Sequence, residues 1–253
     1  MTESAFEGQH VLVTGGSRGI GRAAAIRFAS EGANVSINYL SRPEPAEETL
    51  GQIKSYGRKA VAIPGDVSLP ENAADIVAQA RRALGPIDIL VHCAGYSVVE
   101  PASQVTWESW KQTMNVNLDG TFNMIYAVKD EMLERRRGRI VTTSSVAALR
   151  QRKNQVHYSA SKAAVIAMTR CLAEAWAEFN VRVNCVCPGL TETEMSYALS
   201  PEARQSVISQ TPLGRVGTPD EIANVIRFLA SDESSFMTGQ TLVACGGRVM
   251  LPG

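Results

Sequence analysis

The chain has 253 residues, of which 45% are hydrophobic and 20% charged, and its 25 basic and 25 acidic side chains give a formal net charge of zero. That composition is typical of a globular protein with a sizeable core, and a neutral chain has no overall positive field to attract nucleic acid or an anionic membrane. The N-terminal residues lack the basic start and apolar run of a signal peptide, and no stretch reaches transmembrane length, so we expect a cytoplasmic protein.

The first predicted element is a buried strand at residues 10–14, which runs into a glycine-rich turn and an Ala-rich helix ending near residue 30. The turn consists of Gly15, Gly16, Ser17, Arg18, Gly19, Ile20 and Gly21. A glycine turn before a helix lets backbone N–H groups and the positive helix N-terminus approach a pyrophosphate. The spacing G-x-x-x-G-x-G differs from the commoner dinucleotide-binding fingerprint G-x-G-x-x-G, but the turn has the same position between a strand and a helix. The alternative is that the glycines serve only a tight turn.

Strand and helix patterns then alternate along the chain. Strands are predicted at residues 34–39, 60–63 and 87–92, and helices at about 45–56, 70–84, 103–115 and 120–136. Such alternation predicts an α/β fold, a single Rossmann-like, doubly wound parallel sheet of about seven strands with helices on both faces. No linker or repeat interrupts the pattern, so we expect one domain over residues 1–253.

The next strand, residues 140–143, is followed by Ser145 and then by a long helix that begins at Val156. In a helix, residues four apart share one face, so Tyr158 and Lys162 are neighbours. A nearby ammonium stabilises a phenolate, and we therefore expect Lys162 to depress the pKa of Tyr158 below its ordinary value of about 10. An ordinary surface pair at helical spacing is the alternative.

A further strand at residues 181–187 ends at Pro188 and Gly189, and we expect a substrate lid at about residues 189–212. Ligands of such sheets bind beyond the carboxyl ends of the strands. That rule brings together residues 15–21, Asp66, Val67, Cys93, Ala94, Gly95, Ser144, Ser145, Pro188 and Gly189. Apolar residues of the lid, including Met195 and Tyr197, indicate a medium-sized apolar pocket.

The end of the second strand indicates which nicotinamide cofactor is bound. An acid there usually holds the ribose 2′-hydroxyl of NAD, whereas NADP needs positive charge. No acid lies between Glu31 and Glu44, while Ser41 and Arg42 are present and Arg18 is a second cation in the glycine turn. We predict NADP(H) in preference to NAD(H), and a solvated loop charge is the alternative for Arg42.

These motifs together resemble the short-chain dehydrogenase/reductase family over nearly the whole chain, most closely the members that reduce 3-oxoacyl groups on acyl carrier protein. The resemblance implies four catalytic residues, Asn117, Ser145, Tyr158 and Lys162. The expected cofactor contacts are Gly15, Ser17, Arg18, Gly19, Ile20, Gly21, Ser41, Arg42, Asp66, Val67, Ala94, Gly95, Tyr158, Lys162, Pro188, Gly189, Thr191 and Thr193. The expected substrate contacts are Ser145, Tyr158, Tyr96, Ala147, Gly189, Met195 and Tyr197.

The implied mechanism is hydride transfer between nicotinamide and a carbonyl or secondary alcohol. Tyr158 gives the proton, and Ser145 binds the carbonyl oxygen. Lys162 holds the nicotinamide ribose and depresses the tyrosine pKa, while Asn117 supports a water that links the lysine to solvent. The resemblance also implies a homotetramer. A nucleotide-binding scaffold without turnover is the alternative from another class, and the coexistence of all four residues weighs against it.

The substrate class stays open at this point. Arg136 matches a basic residue that meets acyl carrier protein in the 3-oxoacyl reductases, but a second such position falls at Phe179 or Asn180. Arg150, Arg152 and Lys153 compensate for that loss, select an anionic substrate, or form a solvated basic loop. A small-molecule ketone or aldehyde is an equally good candidate.

Several positions depart from the family pattern. His92 and Cys93 replace a usual asparagine pair, which puts the bracing of the central sheet in doubt, and Cys245 replaces a common acid. We expect His157, next to Tyr158, to be a helix-start residue that merely lies near the site. The five cysteines form no C-x-x-C pair and, with only three histidines, give no zinc pattern, so we expect buried reduced thiols and no metal.

Overall fold

The protein is described by a computed structural model that covers residues 4–150, 152–197 and 199–250. The strands are β1 His10–Thr14, β2 Asn34–Tyr39, β3 Ala60–Pro64, β4 Ile89–His92, β5 Gly138–Thr143, β6 Val181–Pro188 and β7 Thr241–Ala244. The helices are α1 Gly19–Ser30, α2 Pro43–Ser55, α3 Pro70–Leu84, α4 Trp107–Met114, α5 Gly120–Glu134, α6 Val156–Trp176, α7 Glu194–Tyr197, α8 Pro201–Ser209 and α9 Pro219–Ala230.

The strands form one parallel sheet in the order β3-β2-β1-β4-β5-β6-β7. The chain moves outward from β1 to β3 and then returns to place β4 on the other side of β1. This reversal opens a crevice at the carboxyl ends of β1 and β4, which is where open α/β sheets bind ligands. The predicted doubly wound α/β fold is confirmed.

Two hydrophobic clusters cover the two faces of the sheet. Phe28 of α1 and Ile226 of α9 belong to the cluster on one face, and Met124 of α5 and Trp176 of α6 belong to the cluster on the other. Central strands such as β4 are buried over their whole length, which explains their unbroken apolar sequence. Since both faces are covered, the strand ends are where a ligand can reach this sheet.

The predicted helix at residues 103–115 is wrong at its start. A short 3-10 turn occupies Ala102–Gln104, and Thr106 then begins α4 with a capping box in which its side chain and that of Ser109 satisfy each other's backbone N–H groups. The chain passes from α4 into α5 through a π-helical turn, Asn115–Asp119. Such turns are frequent at functional sites, and this one contains Asn117.

The sequence patterns did not locate β7 or α9, and the expectation that all five thiols are buried is wrong. Cys171 is exposed, and Cys93 and Cys245 are partly buried. In the part of the chain that the structure describes, no helix combines the length and apolar character needed to span a membrane. Within the same residues, no three His, Cys, Asp or Glu side chains are grouped as metal ligands.

Candidate active site

The carboxyl ends of the strands open into a cleft of about 1270 Å³. Pockets for a single drug-sized ligand have volumes of roughly 300–1,000 Å³, so this cleft has room for a dinucleotide together with a second molecule. The glycine turn lies at one end, and Ser145, Tyr158 and Lys162 lie on the wall beyond it. The lid segment, residues 189–212, contributes Thr191, Thr193 and Met195 to the lining of the cleft, and its two helices are α7 and α8.

The glycine turn is shaped to bring backbone close to a ligand. Gly15 has φ +62°, and a Cβ there would lie 3.0 Å from the backbone of Ala94 in the loop after β4. Gly19 has φ +54° and begins α1, and a Cβ there would lie 3.2 Å from Thr193 of the lid segment. Side chains at these positions would fill the space before the helix N-terminus, so the turn fits the pyrophosphate of a dinucleotide.

Two arginines lie at the end of the cleft where the adenosine half of such a cofactor would extend. Arg18 and Arg42 are both exposed, and both pair with the carboxylate of Glu194 at the start of α7. Arg42 donates at 2.7 Å. These hydrogen bonds lower the pKa of Glu194, so the carboxylate is ionised. An anion therefore already lies between the two cations, as a 2′-phosphate would.

Ser145, Tyr158 and Lys162 meet on one wall of the cleft because β5 ends beside the first turns of α6. The Ser145 Oγ accepts a hydrogen bond of 3.1 Å from the Ala147 backbone, which fixes the side chain at the strand exit. The Lys162 Nζ donates to the Thr143 carbonyl at 2.9 Å and lies 5.9 Å from the centroid of the Tyr158 ring. The helical spacing correctly predicted that the phenol and the amine are neighbours.

The expected depression of the Tyr158 pKa is not what the structure of the protein alone gives. Burial raises the pKa of Tyr158, while the neighbouring Ser145 hydroxyl and the positive charge of Arg152 act to lower it. Burial also lowers the pKa of Lys162 to about 8. Lys162 is only 4% exposed and the hydrogen-bonded partner of its amine is a carbonyl, so desolvation of the amine weakens the charge that would acidify the phenol.

Asn117 lies behind the cleft wall and does not line the cleft. Its amide receives a hydrogen bond from the Tyr96 backbone N–H at 2.8 Å, and it donates to the Tyr96 carbonyl at 2.9 Å and to Ser161 at 3.1 Å. A Cβ on Gly95 would lie 3.4 Å from the Asn117 Oδ1 and 3.5 Å from the Lys162 Nζ. The absence of a side chain at Gly95 thus leaves a space between the amide and the amine.

His92 and Cys93 contribute a partial brace to the central sheet, since the buried His92 Nε2 makes no hydrogen bond with any described residue. The buried His92 Nδ1 hydrogen-bonds the Thr14 hydroxyl at 2.9 Å, and that hydroxyl accepts from the Ala94 N–H at 3.2 Å. Burial, and then the charge of Lys162, lower the pKa of His92 to about 3, so the ring is neutral. The Cys93 thiol lies 3.5 Å from the Thr143 hydroxyl. The His92 imidazole thus connects β4 to β1, and the Cys93 thiol connects the end of β4 to β5.

His157 lies at the start of α6, is buried and hydrogen-bonded, and does not line the cleft. Its Nδ1 accepts from the Tyr158 N–H at 2.7 Å, so Nε2 carries the proton and donates to Glu100 at 2.9 Å. Glu100 also accepts from Ser109 at 2.6 Å. The histidine therefore connects the backbone of Tyr158 to Glu100 in the loop after β4, and through Glu100 to Ser109 of α4.

The remaining predicted positions divide into cleft-lining and other residues. All the predicted cofactor contacts line the cleft, as do the predicted substrate contacts Tyr96, Ser145, Tyr158, Gly189 and Met195. Ala147 is buried beneath the cleft surface, and Tyr197 is 63% exposed, and neither lines the cleft. Sequence reasoning did not identify Glu194, Gln155 or Arg248 as parts of the cleft, although all three line it.

Comparison with known proteins identifies the family. A family model described as Enoyl-(Acyl carrier protein) reductase matches residues 15–248. The chain belongs to the short-chain dehydrogenase/reductase family, and it is an oxidoreductase. This match covers the glycine turn, Ser145, Tyr158 and Lys162, and the lid segment.

Relatives of this short-chain dehydrogenase/reductase carry different activities in their names. An L-rhamnose 1-dehydrogenase (NAD(P)(+)) of Sphingomonas sp. is 39% identical over 245 residues, which are 96% of each chain. A 3-oxoacyl-[acyl-carrier-protein] reductase of Staphylococcus aureus is 37% identical over 250 residues, which are 99% of each chain. The crystal structure of a 3-oxoacyl-[acyl-carrier protein] reductase from Brucella melitensis superimposes with a TM-score of 0.92 at 36% identity, over 98% of this chain and 94% of that one.

Proposed function

We propose that this short-chain dehydrogenase/reductase transfers hydride between NADP(H) and a carbonyl or secondary alcohol. The observation that carries the proposal is that Ser145 and Tyr158 share one cleft wall with Lys162 and lie in the same cleft as the glycine turn. A bound nicotinamide supplies the hydride. The residues of the chain then have to bind the carbonyl oxygen, deliver a proton and hold the cofactor beside the substrate.

Tyr158 is the proton donor in this proposal. Because burial raises the pKa of Tyr158, the phenol stays protonated at neutral pH, as reduction requires. The Ser145 hydroxyl, fixed at the strand exit, is positioned to donate to the carbonyl oxygen as negative charge develops there. The positive charges of Lys162 and Arg152 lie near the phenol and favour the phenolate left after transfer.

The glycine turn and α1 would hold the pyrophosphate, and Arg18 and Arg42 would hold a 2′-phosphate. The support is the exposed pair of guanidinium groups, which already binds the carboxylate of Glu194. NAD has no 2′-phosphate and would gain no ion pair from these two guanidinium groups. We therefore propose that NADP(H) is preferred over NAD(H).

Reduction of a 3-oxoacyl thioester on acyl carrier protein is the second candidate, and the 37% identity to the Staphylococcus aureus reductase supports it. The docking surface supports it less well. Arg136 pairs with the Glu178 carbonyl and stacks at 5.6 Å on Phe179, and its own carbonyl accepts from Asn180 at 3.0 Å. Arg136 therefore contacts Phe179 and Asn180, the two residues at the position where the 3-oxoacyl reductases have a second basic residue.

The test is a carbonyl panel read by loss of NADPH absorbance, and then repeated with NADH. The panel contains 3-oxoacyl thioesters, aliphatic and aryl ketones, and quinones. Saturable oxidation of NADPH by at least one carbonyl, with a lower kcat/KM for NADH, is the expected result. If no carbonyl is reduced although NADPH binds, the nucleotide-binding scaffold is the better account.

A homotetramer is the assembly that we propose from the family resemblance. Phe122 and Tyr126 on α5 stack with ring centroids 4.0 Å apart, and they are 43% and 39% exposed. Adjacent exposed aromatic rings on one helix are typical of an interface. Light scattering of the purified protein at several concentrations measures the assembly directly, and a monomer at all concentrations would contradict it.

A further inference from the structure

Three arginines lie together at the substrate end of the cleft. Arg152 and Arg248 line the cleft with Ser145 and Tyr158, and Arg150 lies beside them. Burial lowers the pKa of Arg248, and the charges of Arg152 and Arg150 lower it further. The three guanidinium groups are thus close enough to repel one another.

The cluster is held by neutral partners. Arg150 donates to the Gln210 Oε1 at 2.7 Å, and Arg248 donates to the same oxygen at 3.3 Å. Arg152 donates to the Gln155 Oε1 at 3.1 Å. Within the described residues, none of the three has a carboxylate within 4.0 Å. Two partly buried cationic groups with no carboxylate beside them are an unfavourable arrangement unless a ligand supplies an anion.

Arg248 also has a donor without an acceptor. Its Nε is buried and makes no hydrogen bond with any described residue. A buried N–H that is left unpaired costs free energy, so an acceptor supplied by a bound ligand or by water would be stabilising here. The arginines at the other end of the cleft differ in this respect, because Arg18 and Arg42 are both paired with the carboxylate of Glu194.

The cluster lies beside the reacting group as well. The charge of Arg152 acts on the Tyr158 phenol, and Gln155, which orients Arg152, is itself held by Ser97 at 3.0 Å. A planar guanidinium binds a carboxylate through two parallel hydrogen bonds, which fixes the orientation of the bound molecule as well as its charge. An anion bound here would be close to the carbonyl that Tyr158 protonates.

We propose that the substrate is an oxo acid, or the corresponding hydroxy acid, whose carboxylate binds between Arg152 and Arg248. This inference rests on the proposed function, since it names the substrate class of the same site. Arg152 lies near the phenol, so the carboxylate and the reacting carbonyl belong to one short carbon chain. Arg150, bound to Gln210 at the rim, adds positive charge that attracts the anion.

The test compares 2-, 3- and 4-oxo carboxylates with their methyl esters, which keep the carbonyl and remove the charge. For the wild type we expect kcat/KM to be at least about 10-fold higher for the best acid than for its ester, since hydrogen bonds to charged groups contribute this much or more. In Arg152→Gln and Arg248→Gln the acid-to-ester ratio should fall about 10- to 100-fold. The matched control is Arg82→Gln on α3, which removes an exposed charge and should keep the wild-type ratio.

A binding measurement separates this inference from the proposed function. Glutarate and dimethyl glutarate are titrated by calorimetry into the protein loaded with NADP⁺, in the wild type and both variants. Binding of glutarate alone, lost in both variants, supports the site even if no carbonyl is reduced. Esters reduced as well as acids, equal ratios in wild type and variants, or phosphate bound as tightly as glutarate would overturn it. If any of those results is obtained and neutral ketones are still reduced, the carboxylate site is wrong and the proposed function remains supported.

Discussion

Arg42, the N-cap residue of α2, donates a 2.7 Å hydrogen bond to Glu194, the first residue of α7 in the lid segment. The contact joins the adenosine end of the cleft to the segment that covers its substrate end. A 2′-phosphate that binds Arg42 has to displace this carboxylate. The lid segment and the phosphate therefore compete for the same guanidinium group.

That competition predicts opposite effects of two substitutions. Arg42→Ala should raise the Kd of NADPH about 10-fold or more, because a charge-assisted hydrogen bond is lost, and should change the Kd of NADH little. Glu194→Gln should lower the Kd of NADPH up to about 5-fold, since an exposed ion pair contributes up to about 1 kcal/mol. Fluorescence titration with both cofactors measures this. The control is Glu192→Gln, which breaks a separate lid pair with Arg204, and tighter NADPH binding in that variant would contradict the assignment.

The pKa of Lys162 predicts an alkaline limit to carbonyl reduction. Its pKa is lowered to about 8, so Nζ is charged below that pH and neutral above it. The charged form stabilises the phenolate that remains after proton donation. We therefore expect kcat/KM for carbonyl reduction to be level below pH 8 and to fall about 10-fold per unit well above it. A profile that is flat or rising up to pH 10, in a protein that stays folded by circular dichroism, would contradict this role.

Gly95→Ala tests the space between Asn117 and Lys162. The added methyl group would make ordinary contacts of 3.4 Å and 3.5 Å with those side chains, so the fold should survive, with an unchanged Tm. It would also fill the route by which a water could reach the ammonium. We expect kcat to fall about 10-fold or more, because reactions slow down when a positioned proton-transfer step is lost. Gly51→Ala, where a Cβ would meet no atom within 4 Å, is the control, and equal kcat in both variants would remove this role from Asn117.

Glu100 is predicted to stabilise the start of α6 through His157. Glu100→Ala leaves the buried Nε2–H of His157 without its acceptor, which costs about 1–3 kcal/mol. At about 2–4 °C per kcal/mol for a chain of this size, Tm should fall by roughly 2–12 °C. Glu100→Gln keeps an acceptor oxygen, so its Tm should fall much less. Thermal unfolding followed by calorimetry decides between them, and equal Tm values for both variants would contradict the assignment.

The fold and the position of Tyr158 and Lys162 in the cleft could be predicted from the sequence because both are set by local patterns. Strand and helix periodicities gave the alternation of the sheet, and the four-residue spacing of Tyr158 and Lys162 placed them on one helix face. The rule that ligands bind at strand carboxyl ends then brought the glycine turn to the same cleft. These inferences need no long-range contact beyond the order of the elements.

The parts that could not be predicted depend on long-range contacts. Arg248 follows β7, a strand that the sequence patterns did not locate, and only the pairing of β7 with β6 brings it to Arg152. Glu194 reaches Arg42 because the lid segment folds back across the cleft. The pKa of Tyr158 was predicted in the wrong direction because helical spacing reveals a charged neighbour and says nothing about burial, which here has the larger effect.

The central claim is that the Tyr158 hydroxyl delivers the proton, and Tyr158→Phe tests it most directly. Removing one oxygen from a half-buried ring should leave the Tm and the Kd of NADPH close to the wild-type values. Single-turnover oxidation of NADPH by the best carbonyl substrate should become about 10²- to 10⁴-fold slower, the range for loss of a general acid. A variant that binds NADPH normally and reduces the carbonyl at a near wild-type rate would contradict the account.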